Sequence, residues 1–136
     1  MHIVGIIGPY ISGFNRRRID HNIANARYVT RAIANRFAES HLVGFFCPHT
    51  HTAQMEVFAE AKEPYYHALD DILYDRACEA FVLLPDWQQS SGAKRDYERA
   101  IAHGRPLFDL KSYADEDITA LLDSLNEWAK ALDESC

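Results

Sequence analysis

Short apolar runs alternate along this chain with longer stretches whose apolar residues recur every three to four positions. Ile3 to Ile7 is an apolar run that stops at Gly8-Pro9 and predicts a central parallel strand. After a polar loop from Tyr10 to Arg18, Asp20 is expected to cap a helix reaching about Phe37. Its buried stripe would be Ile23, Ala26, Val29, Ala32, Ile33 and Phe37. Leu42 to Phe46 predicts a second strand, stopped by Cys47-Pro48. Thr50 to Glu63 fits either a short helix over Thr52 to Ala61 or a structured loop, and Pro64 is expected to break it. Tyr66 to Cys78 predicts a helix with Leu69, Ile72, Leu73 and Ala77 inward. Ala80 to Leu84 is the third expected strand, and a helix follows from about Gly92 to His103. Gly104-Arg105-Pro106 ends that helix, and Pro106 to Leu110 gives a fourth strand. Asp115 or Asp117 starts a last helix with Ile118, Leu121, Leu122, Leu125, Trp128 and Leu132 on one face.

Strands interleaved with helices in this way build a parallel sheet covered on both faces. The expected architecture is an α/β, Rossmann-like (flavodoxin-like) three-layer domain over residues 1–136. Its central parallel sheet would have four to five strands.

Composition narrows the function classes. A chain of 136 residues can bury one core, and 48% hydrophobic with 25% charged residues is ordinary for a globular domain. The net charge of −6 argues against broad binding to nucleic-acid polymers, which depends on basic surface. Cys47, Cys78 and Cys136 are odd in number and widely spaced, so a reducing cytoplasmic setting is expected rather than a disulfide framework. No apolar run approaches the roughly 20 residues of a membrane span. Met1 to Ile7 lacks the basic start of a signal peptide and is expected to be the first strand.

In such a fold the loops after the first three strands gather at the carboxyl edge of the sheet. The first carries Gly8-Pro9-Tyr10 and Arg16-Arg17-Arg18, the second Cys47-Pro48-His49-Thr50-His51-Thr52, and the third runs from Pro85 to Gly92. The corner after the third strand is the most informative, because it places Asp96 on the first turns of a helix. A carboxylate fixed there, beside hydroxyls and unpaired backbone N–H groups, can attack or orient a polar ligand. The plainer reading is a solvated carboxylate favoured by the helix dipole. Glu98 is a poor substitute, since at about 100° per residue it points nearly opposite to Asp96.

The other loop residues also carry paired readings. Tyr10 fits a packing role or a site role. Ser90 and Ser91 fit helix caps, which is compatible with ligand contact. The arginine run fits a solvated face or a phosphate partner, with Arg16 as the candidate. His49 fits a base contact or a loop-stabilising residue, and Trp87 a core anchor or a wall of the pocket. His49 and His51, with Cys47, have ligand chemistry for a metal. They stand alone in one loop, however, so neither a metal nor another cofactor is expected.

Together these residues resemble the nucleoside 2-deoxyribosyltransferase superfamily, which includes small nucleoside 5′-monophosphate N-glycoside hydrolases. The resemblance runs from Gly8-Pro9-Tyr10 and Asn22-Ile23 through Phe46-Cys47-Pro48-His49-Thr50 to the corner from Leu84 to Ala100. Its strongest part is Leu84-Pro85, Trp87, Ser90 and Gly92-Ala93, with a carboxylate four residues after Gly92. It implies a retaining double displacement on a nucleoside or nucleoside 5′-monophosphate. A carboxylate attacks the anomeric carbon, the base departs, and water or another base takes the sugar. By matching position Asp96 would be the nucleophile, and Asp71, fourteen residues before Pro85, the acid at the leaving base. Tyr10 would orient the nucleophile, and Ser90 would sit beside the sugar or its phosphate. Gly8, Pro9, Arg16, His49, Trp87 and Gly92 complete the expected binding set. The resemblance further implies a homodimer or higher homo-oligomer, with contact expected around Phe58, Tyr65 and Tyr66.

One departure opens a second reading. The resembled family places glutamate where this chain has Asp96, which is shorter by roughly 1.5 Å. A misplacement of about 1 Å can cost on the order of a hundredfold in rate. A non-catalytic nucleotide-binding module is therefore the alternative, and a metal-dependent hydrolase built on His49 and His51 a third possibility.

Overall fold

A computed structural model describes residues 1–10 and 15–135, apart from the side chain of Glu56. Ile11 to Phe14 of the first loop, and Cys136, lie outside the described residues. Four strands, β1 (His2–Ile7), β2 (Val43–Phe46), β3 (Ala80–Leu83) and β4 (Leu107–Asp109), pair in parallel in the order β2-β1-β3-β4. The helices are α1 (Arg16–Arg36), α2 (Pro48–His51), α3 (Met55–Phe58), α4 (Glu63–Ala77), α5 (Ser91–Ala102) and α6 (Asp115–Glu134). This is the Rossmann-like α/β sheet that the alternation of runs predicts.

The two-residue period of the strands sorts the core into two layers. Val4 and Ile6 of β1, with Ala80 and Val82 of β3, pack with Ala26, Val29 and Ile33 of α1 and with Leu121 and Leu125 of α6. Ile7, Phe81 and Leu83 face the other way, onto Tyr74 of α4 and Ala93 and Ala100 of α5. Gly5 opens room on this second face. A Cβ there would lie 2.6 Å from the Phe81 ring and 2.9 Å from that of Tyr74. That space lets Tyr74 reach the sheet, where its buried hydroxyl donates to the Ile6 carbonyl at 2.7 Å.

Several boundaries differ from the sequence expectation, each for a local reason. Helix α1 starts at Arg16 rather than near Asp20, because the Asn15 side chain accepts from the Arg18 N–H at 3.2 Å. The arginine run is thus the exposed first turn of a helix, and Asp20 accepts from the Gln54 side-chain amide at 2.9 Å instead of capping. Residues 48–58 form two one-turn helices separated by Gln54, whose φ of 62° is left-handed. The preceding segment ends before Pro64, at residues 59–62, and Pro64 itself lies in the first turn of α4, where a residue with no N–H to satisfy is suited. Within α4 the buried residue is Tyr74. Leu69 and Leu73 are only half-buried, and Ile72 and Ala77 are exposed.

Candidate active site

The strand order creates a switch point. The chain leaves β1 for β2 on one side and returns to β3 on the other, so the carboxyl ends of β1 and β3 diverge into a crevice. A cavity of about 410 Å³ occupies this region, walled by the β1 loop, α2, the inner face of α4 and the first turns of α5.

The β1 loop and the β2 loop are locked together. Gly8 packs so tightly that an added Cβ would sit 2.7–3.0 Å from the Leu84 side chain. His49, with 5% of its surface exposed, sets its Nε2 3.1 Å from the Gly8 carbonyl and 2.7 Å from that of Pro9. Carbonyls only accept, so Nε2 carries the proton, and Nδ1 is left as an acceptor with no partner. Burial holds the His49 pKa below its ordinary value, against the opposing pull of the two carbonyls. Tyr10 follows in the loop. Its ring meets His49 edge-on at 5.5 Å, and its hydroxyl accepts from the Gln54 N–H at 2.7 Å.

The corner after β3 supplies the opposite wall. Asp86 takes a left-handed φ of 66°, which aspartate tolerates better than most residues. Trp87 then stacks on Tyr97 with ring centroids 4.3 Å apart, and packs against the α4/α5 core layer. Ser90 caps α5, its Oγ accepting from the Ala93 N–H at 3.2 Å. Ser90, Ser91, Gly92 and Ala93 thereby turn the helix start toward the cavity, and Asp96 lines it one turn further on.

Helix α4 contributes Glu63, Tyr66, His67, Asp70 and Tyr74 to the lining. These positions recur at helical spacing along one face. Asp70 and, at the start of the helix, Glu63 are the carboxylates of α4 in the cavity. Asp71, one residue after Asp70, is not part of that lining. It receives Arg95 in a two-pronged pair, 3.1 Å to Oδ1 and 2.5 Å to Oδ2, and lies 3.6 Å from Arg99 Nε.

Two of the cavity carboxylates, Asp96 and Asp70, are electrostatically unusual. Asp96, with 22% of its side chain exposed, has its pKa pushed up to about 7 by burial. The Arg95 guanidinium, 3.5 Å away, opposes that rise, while the charges of Asp71 and Asp70 add to it. Asp70 is raised to about 6 by burial and by Asp71, again against Arg95. One Asp70 oxygen, the Tyr66 hydroxyl and His49 Nδ1 are sealed from water and have no hydrogen-bond partner among the described residues. Buried polar atoms are rarely left so, and three around one cavity indicate a place built for a polar ligand.

Of the residues singled out from sequence, Gly8, Tyr10, His49, Ser90, Gly92 and Asp96 come together around the cavity. Pro9 contributes its carbonyl to His49. Trp87 is a packing residue behind α5, Asp71 is held in the outer ion pairs, and Arg16 lies exposed at the start of α1. The second carboxylate, Asp70, was missed in favour of its neighbour. Tyr66, His67 and Glu63 were missed as lining residues, although their three- and four-residue spacing with Asp70 and Tyr74 was present in the sequence. No group of three His, Cys, Asp or Glu side chains able to hold a metal ion occurs among the described residues. No helix among them is long and apolar enough to cross a membrane.

Neither a family model, nor a curated protein, nor a solved structure matches this chain.

Two glycines of this site are expected to respond oppositely to alanine. At Gly92 the nearest atom to an added Cβ is Ser90 Oγ, 3.9 Å away, so Gly92→Ala meets open space and gains helix propensity of up to about 1 kcal/mol. Its melting temperature should hold or rise, while the methyl narrows the cavity and weakens ligand binding. Gly8→Ala forces Leu84 aside and should lose about 1–3 kcal/mol in denaturant unfolding.

Proposed function

We propose that this chain cleaves or transfers the N-glycosidic bond of a nucleoside or nucleoside 5′-monophosphate. Asp96 is the nucleophile and Asp70 the proton donor to the departing base. The observation that carries this reading is the meeting of these two carboxylates in one cavity at the switch point. Both have acidities displaced into the neutral range. Between about pH 6 and about pH 7 the two carboxyls hold one proton between them; it rests mainly on Asp96, so the productive form, with Asp96 ionised and Asp70 protonated, is the minor tautomer of the singly protonated pair.

The steps follow from that singly protonated pair. An ionised Asp96 oxygen forms a bond to the anomeric carbon as the bond to the base nitrogen breaks. The electron pair leaves with the base, and Asp70 supplies the proton that makes it a neutral leaving group. Asp70, now ionised, takes a proton from water, and the resulting oxygen attacks the anomeric carbon. That releases the sugar and restores Asp96. A second base in place of water gives transfer. Arg95 steadies the charge on Asp96, and Asp71 and Asp75 fix the orientation of Arg95 and Arg99.

The start of α5, with Ser90, Ser91 and Gly92 facing the cavity, suits the polar sugar end of the substrate. Trp87 and Asp71 serve this chemistry by holding α5 and Arg95 in place. The buried thiols Cys47 and Cys78 are free, in keeping with a reducing, cytoplasmic setting. A homo-oligomer is part of the proposal. Phe58 is 78% exposed and Tyr65 62%, a pair of aromatics that a second copy would cover.

Chromatography of products tests the reading. The protein is incubated with ribo- and deoxyribonucleosides and their 5′-monophosphates, with and without an acceptor base. Release of free base from one substrate class is the expected result. Binding of a nucleotide, seen as a raised melting temperature, with no base released from any substrate would favour the non-catalytic alternative.

A further inference from the structure

Helix α4 carries, on two residues that line the cavity, two buried polar atoms with no hydrogen-bond partner among the described residues. Tyr66 and Asp70 stand four residues apart on one helix, so their side chains are neighbours on the same face. Both residues line the cavity, and among the described residues neither the Tyr66 hydroxyl nor Asp70 Oδ1 has a hydrogen-bond partner. The contrast with Tyr74, one turn further on, is informative. Its hydroxyl is equally buried but is spent on the Ile6 carbonyl at 2.7 Å, which makes it a structural residue. The Tyr66 hydroxyl has no such partner among the described residues. Its ring is fixed edge-on against Tyr65 at 5.3 Å. A phenol donates more readily than it accepts, and Asp70 only accepts once it is ionised, the form in which it is left when the base departs with its proton. Side by side they form a donor and an acceptor in a low-dielectric wall, where hydrogen-bond matching is most selective.

We infer that Tyr66, paired with Asp70, determines base specificity by reading an edge of the leaving heterocycle that carries an exocyclic oxo or amino group beside a ring nitrogen. This rests on the reading of the cavity as an N-glycoside site. The oxo or amino group and its neighbouring ring nitrogen offer one acceptor and one donor, the complement of the pair on α4. A heterocycle without the exocyclic group leaves one of the two protein atoms unmatched, and sites built around a hydrogen bond reject such analogues strongly. Hydrogen bonds to catalytic groups commonly tighten only once the ligand is in place, which is consistent with both atoms being sealed while the cavity is empty.

The test is Tyr66→Phe, assayed by calorimetric binding of adenine, hypoxanthine and unsubstituted purine, with melting temperature measured alongside. The wild-type protein is expected to bind adenine or hypoxanthine at least about tenfold more tightly than unsubstituted purine. Tyr66→Phe should bring that ratio down by about tenfold without lowering the melting temperature, since the hydroxyl it removes is unpaired in the empty protein. Selectivity retained in the variant would overturn the inference. So would a melting temperature several degrees lower, or a wild-type protein that binds none of the three bases. The two proposals fail separately. Base release with selectivity unmoved by Tyr66→Phe removes this inference and keeps the glycosidase reading. Selective base binding lost in Tyr66→Phe, with no base ever released, keeps this inference and removes catalysis.

Discussion

Asp96→Asn should abolish base release while making the protein more stable at alkaline pH. The nucleophile is gone, so turnover is expected to fall at least about a thousandfold. The stability gain follows from linkage. A carboxyl whose pKa rises from 3.8 to about 7 on folding binds its proton more tightly in the folded state. The associated stabilisation is complete below about pH 4 and is lost as pH climbs through about 7. Asparagine, always neutral, does not suffer that loss. Wild type and Asp96→Asn should therefore melt together near pH 4 and separate steadily above it. The difference by pH 8 should be on the order of 2–4 kcal/mol, or about 7–14 °C. Thermal melts of both proteins across this range check it, and a variant that is less stable at pH 8 would contradict a buried, charge-averse Asp96. His2 adds to the alkaline loss in both proteins alike. Its pKa is raised by hydrogen bonds to Asp133 and Glu79, so that pairing also fades as pH rises.

The second large effect concerns Asp70. Activity should follow a bell-shaped curve with limbs near about 6 and about 7, since only the singly protonated pair holds both a nucleophile and an acid. Below the lower limb both carboxyls are protonated and nothing attacks. Above the upper limb both are ionised and the base leaves unassisted. Asp70→Asn should remove the acid and slow ordinary substrates by about 10²–10⁴-fold. A purine nucleoside already methylated at N7 carries its positive charge into the reaction and needs no proton. Asp70→Asn should therefore hydrolyse it at close to the wild-type rate. Asp71→Asn, which loosens Arg95 but leaves the cavity carboxyls intact, should not show this substrate-dependent rescue. Equal slowing of both substrates by Asp70→Asn would assign Asp70 to packing or binding instead.

Much of the frame was legible because the strands are short apolar runs closed by glycine or proline, at Gly8-Pro9 and Cys47-Pro48. A doubly covered parallel sheet needs strands of that kind. The α5 corner was legible for a similar reason, since Ser90 before Gly92-Ala93 is a capping residue ahead of a helical pattern. What hydropathy concealed was α4. That helix borders a cavity rather than the core over most of its length, so its inward face is Glu63, Tyr66, His67 and Asp70. A search for an apolar stripe selected Ile72 and Ala77, which are exposed. The choice between Asp70 and Asp71 was beyond sequence for a geometric reason. Adjacent helical residues differ by about 100° in direction, and only the docking of Tyr74 against Gly5 and Ile6 fixes which carboxylate faces in. The start of α1 was obscured because three arginines in a first turn run against the helix dipole, making Asp20 the more attractive cap than Asn15.

The central claim is that Asp96 becomes covalently bonded to sugar during turnover, and intact-protein mass spectrometry tests it most directly. The protein is mixed with a substrate bearing fluorine at C2 of the sugar, which slows the second displacement by destabilising its oxocarbenium-like transition state. The account predicts a mass gain equal to the fluorinated sugar residue, located to the peptide containing Asp96 and absent from Asp96→Asn. Base released without any adduct, at the same rate in wild type and Asp96→Asn, would contradict it.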